Sequence, residues 1–211
     1  MFNDKFGLTQ AVLDGRKTMT RRIIKCPRTF RGEWVAGFNI HRSPSDKKIV
    51  GFPCMYDADE REFDMGEILP KYKLGEVVAI AQSYRDSGYS PDSLDRHPKD
   101  LSVRGLMKDS AGWNNKMFVK SYVCRHHIKI VNVKIERLQD ISDEDCLKEG
   151  VIHAYTDNNG IKIYHTPHTK RGYLSTDVAQ QAFSFLIDKI SGKGTWESNP
   201  FVFAYEFVLV D

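Results

Sequence analysis

The sequence predicts an α+β chain: a small β-barrel with short flanking helices and long loop insertions. Three observations carry this reading. Residues Phe201, Phe203, Tyr205, Phe207 and Leu209 alternate with Val202, Ala204, Glu206, Val208 and Val210, which makes a long closing strand apolar on both faces. Ahead of it, Ala179, Ala182, Phe183, Leu186, Ile187 and Ile190 recur at helical spacing and form one apolar stripe. The remaining strand candidates are short and irregularly connected, which favours a small barrel over repeated strand–helix–strand units.

Each element follows from local pattern. Leu8, Ala11 and Val12 at i, i+3, i+4 predict a helix over about 4–14, closed by Gly15. Thr18 to Ile24 reads as a strand. Residues 26–70 are rich in turn formers, with one strand candidate at Lys48–Phe52. Val77 to Gln82 is a short apolar strand, and 85–115 a long excursion punctuated by glycine and proline. Phe118–Val123 and His127–Leu138 read as strands. In the second, the apolar phase slips from Ile128/Ile130 to Val131/Val133/Ile135, which predicts a bulge. Ser142-Asp143-Glu144-Asp145 has the form of a capping box, opening a two-turn helix that Gly150 stops. Residues 152–174 read as loop. The 179–190 helix takes a cap from Ser175 or Thr176 and ends at Gly192, and the closing strand 201–210 completes a barrel on which that helix packs.

A length of 211 residues suits one domain, 1–211, with insertions at about 26–70, 85–115 and 152–174. Hydrophobic residues make up 41%, enough to bury a core. No apolar run approaches the ~20 residues that span a bilayer, and Met1-Phe2-Asn3-Asp4-Lys5 lacks the layout of a secretion signal. The expectation is a soluble cytoplasmic protein without a membrane partner. Cys26, Cys54, Cys124 and Cys146 form no C-x-x-C pair, so they read as free thiols.

The net charge of +3 says little, but its distribution says more. Residues 1–32 carry eight Lys/Arg against two acids, and 116–134 carry five against none. Residues 57–67 compensate with six acids against one Arg. Two basic segments far apart in sequence suit a phosphate-binding face, and equally suit solvated basic surfaces.

Chemistry concentrates in Gly15-Arg16-Lys17-Thr18-Met19-Thr20-Arg21-Arg22. In a strand, Thr18, Thr20 and Arg22 share one face and Met19, Arg21 and Ile23 the other. Lys17 sits in the turn beside the first face. An ammonium, hydroxyls and a guanidinium directed at one volume suit a phosphate, a carboxylate or a developing oxyanion. The same residues also suit an edge strand whose cations keep it in solvent.

This stretch resembles the opening signature of the ASCH family. Leu74-Gly75-Glu76-Val77-Val78, the segment from Leu138 to Glu149-Gly150, and Trp196 through Phe207 with Asn199-Pro200 inside are similar to later family segments, in the same order. The long middle and this ending resemble the branch found in bacteriophages and prophages. The resemblance implies a PUA-like barrel with a cleft for RNA or a modified nucleoside. Some members hydrolyse the amide of N-acetylated cytidine with a Lys, a Thr and a Glu, and others are linked to ribonuclease activity. Carried over by motif, these catalytic positions are Lys17, Thr20 and Glu149. Lys17 then acts as base or stabilises the oxyanion, Thr20 positions water or substrate, and Glu149 exchanges protons. Glu149 at a helix C-terminus opposes the dipole, so a cationic partner such as Lys17 is expected. Where many relatives carry Glu, this chain has Gln82, an amide able to read a base edge.

For nucleic-acid binding the candidates are Arg16, Arg21, Arg22, Gln82, Trp196 and Asn199, with Arg21 facing away from Thr20. Binding of RNA or a modified nucleoside ranks ahead of hydrolysis. No cofactor and no metal is expected. His126-His127 point to opposite faces of a strand, and with His165 and His168 they supply no evident ligand set.

Overall fold

The computed structural model describes residues 2–88, 114, 116, 119–167 and 174–210. Its framework is a four-stranded antiparallel sheet in the order β1 (Met19–Ile23), β12 (Phe201–Leu209), β8 (His127–Arg137), β7 (Val77–Ala79). The sheet is curled into a half-barrel, with β1 and β7 as its edges. The closing strand therefore lies inside the sheet, paired on both sides, as its apolar faces require.

The two faces of β12 serve two cores. Val202 joins Leu138, Ile141, Cys146, Val151 and Tyr164 under the helix α4 (Ala179–Ser191), whose Ala179, Ala182, Phe183 and Ile187 point inward. Phe203, Tyr205 and Phe207 face the other way, onto Ile128, Ile130, Ile80 and the helix α1 (Leu8–Leu13) through Val12. Period two in the strand assigns successive side chains to opposite cores. The buried Tyr205 hydroxyl accepts a hydrogen bond from the Lys71 N–H at 2.9 Å.

The bulge read from β8 is present. Glu206 pairs with Asn132 while Phe207 pairs with Ile130, leaving Val131 as the extra residue. Helix α3 (Asp143–Lys148) begins on Ser142, whose hydroxyl accepts from the Asp145 N–H at 3.1 Å.

Several expectations need correction. The single N-terminal helix is a 3₁₀ turn (Asp4–Phe6) and α1, broken at Gly7, where φ is 62°. Lys48–Phe52 is no strand; Ile49 makes only an isolated bridge to Arg42. The 26–70 segment instead folds into the hairpin β2 (Thr29–Phe30) and β3 (Glu33–Trp34) and the sheet β4 (Gly37–Asn39), β5 (Cys54–Tyr56), β6 (Glu62–Glu67). This segment covers the second core, with Phe38 edge-on to Phe201 at 6.4 Å. Residues 152–174 are not all loop: β9 (Ile152–Thr156) and β10 (Lys162–His165) form a hairpin, extended by β11 (Ser175–Thr176). Ser121–Val123 is a 3₁₀ turn rather than strand, and Phe118 lies outside the described residues. Neither Ser175 nor Thr176 is the residue before α4; that is Val178, whose N–H the Thr176 hydroxyl accepts at 3.2 Å. Short helices α2 (Tyr84–Ser87) and α5 (Thr195–Ser198) and a 3₁₀ turn (Leu138–Asp140) complete the described elements, and the rest of the 85–115 excursion falls mostly outside the described residues. Among the described residues no helix is long and apolar enough to cross a membrane.

Candidate functional site

The GRKTMTRR stretch is held by backbone bonds before any side chain acts. Gly15 takes φ 72°, turning the chain out of α1. Lys17 N–H then donates to Ala11 O, Thr18 N–H to Lys148 O at the end of α3, and Phe207 N–H to Thr18 O. These bonds bring the start of β1 against the C-terminus of α3.

Lys17 and Glu149 meet there. The Lys17 ammonium donates at 2.7 Å each to Met19 O, Glu149 O and Glu149 Oε2. All three ammonium protons are spent, and Lys17 is only 2% exposed. The ammonium both neutralises Glu149 and supplies a positive charge to the helix C-terminus, removing the dipole conflict. Burial pushes the Lys17 ammonium below its ordinary pKa, with the Glu149 carboxylate opposing that shift. Gly150 follows at φ 107°, and a Cβ there would lie 3.0 Å from Leu8 Cδ2. Glycine is therefore required directly after the acid.

Arg21 lies in the same buried cluster. Its guanidinium bonds Glu149 Oε1 at 3.2 Å, Asp145 Oδ2 at 2.9 Å and Glu136 Oε1 at 2.6 Å. Lys134 closes the cluster on Asp145 at 2.8 Å and Glu136 at 3.0 Å. Strand register explains the arrangement: Arg21, Ala204 and Lys134 lie side by side across β1, β12 and β8. The small Ala204 lets the guanidinium cross β12 to reach the carboxylate on β8. Burial alone would lower the Arg21 pKa, but Glu149 and Glu136 outweigh it and raise it. Burial likewise pushes Asp145 up, and hydrogen bonds from Lys134 and Arg21 hold it below its ordinary value instead. Three cations thus face three carboxylates.

A cleft of about 780 Å³ opens over this cluster. Because β1 is a sheet edge, the cleft reaches residues from both of its faces. Lys17, Glu149, Thr20 and Arg22 line one part, and Phe183, Leu186 and Ile187 of α4 form an apolar wall. Lys5 and Lys25 add cations, and Phe2 reaches in with its ring 5.9 Å from Lys17 Nζ.

The sequence candidates therefore separate. Lys17, Thr20 and Glu149 converge on one cleft. Arg22 lines it and is exposed. Arg21 faces away from Thr20, as alternation requires; it also lines the cleft, but three carboxylates hold its guanidinium within the fold. Lys17 also belongs with the Arg21 cluster rather than solely beside Thr20. Arg16 is exposed and bonded to Asp14 at 2.8 Å, outside the cleft lining. Gln82 is buried and lines a different cleft.

Trp196 and Asn199 lie outside the lining of the Lys17–Glu149 cleft and make contacts within the fold. The Trp196 ring packs edge-on to Phe183 at 6.1 Å, and its carbonyl accepts from Gln139 Nε2. Asn199, at φ 41°, accepts the Gln139 N–H on Oδ1 at 2.9 Å, fixing the turn into β12. Among the described residues no three His, Cys, Asp or Glu side chains are grouped to hold a metal ion; His168 lies outside them.

Sequence reasoning missed the partners of Arg21. A signal for one of them existed: Glu136 is two residues from Lys134 in β8, so the two must share a face and form a charged pair there. Asp145 was visible only as a helix-start acid. No family model, curated protein or solved structure matches this chain.

Proposed function

We propose that this chain is an RNA- or modified-nucleoside-binding module of the ASCH type on a PUA-like scaffold, acting in the cytoplasm and of phage or prophage origin. The observation that carries the binding reading is the composition of the cleft. The apolar side chains Phe2, Ile23 and the exposed Ile190 suit a base ring, Thr20 offers a hydroxyl, and Arg22, Lys5 and Lys25 offer cations for phosphate.

Amide hydrolysis of an N-acetylated cytidine is the second reading, favoured by the Lys17–Glu149 pair with Thr20 in the same cleft. In that reaction Glu149 would exchange protons with the attacking water and the leaving amine, and Lys17 would steady the oxyanion. The saturated Lys17 ammonium ranks this second, because every proton it could direct at a substrate already has a protein acceptor. A ribonuclease would meet the same obstacle.

The deciding experiment titrates the protein by calorimetry with cytidine, N-acetylated cytidine and short RNAs, and analyses each mixture for products. Binding without product is expected. Release of cytidine and acetate, abolished in both Lys17→Met and Glu149→Gln, would transfer the assignment to hydrolysis. Absence of binding to every ligand would refute both readings.

A further inference from the structure

A second cleft, of about 610 Å³, lies on the other side of the N-terminal segment, sharing Asp4 with the first. Gln82 lines it and is 8% exposed. Its Oε1 accepts the Arg125 N–H at 2.5 Å, which fixes the orientation of the amide. The Nε2 end then carries two N–H donors, and among the described residues no acceptor takes either. A buried amide left half-used is costly, and such groups in folded proteins call for a partner.

The neighbouring carboxylates are already engaged. Asp4 binds Lys116 at 2.6 Å and accepts the Thr9 hydroxyl at 2.5 Å, while Asp86 accepts the Ser83 hydroxyl at 2.7 Å. Ile80 and Leu13 contribute apolar surface. The cleft therefore asks for a flat, partly apolar group that presents an acceptor to Gln82 Nε2. The carbonyl edge of a nucleobase has that chemistry.

We propose that this second cleft holds one unpaired nucleobase by its carbonyl edge, through Gln82 Nε2, while the cleft over Lys17 and Glu149 holds another from the same strand. This rests on the RNA-binding reading and deepens it: the ligand is an RNA strand longer than one nucleotide. The strand crosses the N-terminal segment between the clefts.

The test is an abasic scan. A fluorescein-labelled uridine hexamer is titrated by anisotropy, with one base removed at each position in turn. The wild-type protein should lose about tenfold in affinity at two separate positions, one per cleft. Gln82→Glu keeps an oxygen for the Arg125 N–H but replaces the two donors with an acceptor. It should weaken the intact hexamer about tenfold and abolish sensitivity at one position, leaving the other. Arg22→Ala, in the first cleft, should weaken binding and keep both positions sensitive.

Hexamer binding with a single sensitive position in the wild type overturns the second pocket and leaves the RNA reading standing. That result stands on the wild-type protein alone, so it holds even if Gln82→Glu fails to fold. An unchanged scan in a folded Gln82→Glu does the same. No hexamer binding by the wild type, at low salt, overturns the RNA reading and this pocket together.

Discussion

Glu149 carries two jobs that pull on the same atoms. Its carboxylate closes a buried charge cluster with Lys17 and Arg21, and it lines the cleft. Removing one member of such a cluster leaves uncompensated buried charge, so Glu149→Gln should lower unfolding free energy by about 3 kcal/mol, read by urea denaturation. A loss below about 1 kcal/mol would mean the pair is not holding α3 to β1. Asp145 contributes to the acid limb of stability: burial opposes its ionisation, but Lys134 and Arg21 hold its carboxyl below the ordinary value. A carboxylate depressed in the folded state contributes stability that is present above its unfolded value, near 3.8, and is lost as pH falls through the folded value. Wild-type stability should therefore fall on acidification below about pH 4 more steeply than that of Asp145→Asn. Equal slopes in the two proteins would remove Asp145 from that role.

The charge cluster depends on strand register as much as on its ionic members. Ala204 sits on the central strand β12 between Arg21 on β1 and Lys134 on β8, and is 1% exposed. Ala204→Leu would place a branched side chain where the guanidinium crosses, costing about 2 kcal/mol or more by overpacking and by separating Arg21 from Glu136. Ala204→Gly, which leaves the crossing open, should cost about 1 kcal/mol. Denaturation of both variants checks the order, and a Leu variant as stable as the Gly variant would contradict it. These partnerships were only half legible in the sequence. The terminal strand, its bulged partner and the α4 stripe were readable because burial imposes a strict period on residues in one element. Register between strands far apart in sequence is set by packing, so the position of Ala204 between Arg21 and Lys134 was not readable. The β9–β10 hairpin was readable and missed: Asp157-Asn158-Asn159-Gly160 links two alternating runs, and Asp157 Oδ1 accepts the Asn159 and Ile161 N–H groups. The small sheets within 26–70 are two or three residues wide at most points, too short for any periodicity to register.

Across the molecule, the basic N-terminal stretch divides into cations that hold the fold and cations that face the cleft. Residues 1–32 look uniform as a charge count. In three dimensions Lys17 and Arg21 are consumed inside, while Lys5, Arg22 and Lys25 border the open cleft and Arg16 pairs with Asp14 outside it. If the ligand is RNA, only the border cations release counterions from phosphates on binding. Arg22→Ala should then weaken hexamer binding and reduce the slope of log affinity against log salt by up to about 1. Arg16→Ala should change neither quantity appreciably. Arg21→Ala should behave differently from both: it leaves three carboxylates facing two cations, and should cost about 3 kcal/mol or more of stability. Any affinity it loses would follow from loss of fold, which circular dichroism at the titration temperature separates from loss of a contact. Anisotropy titrations at four salt concentrations, with denaturation of each variant alongside, distinguish the three arginines. Equal effects on slope and stability from all three would show that the basic stretch acts as a diffuse surface charge, and would remove the cleft as the place where phosphate is met.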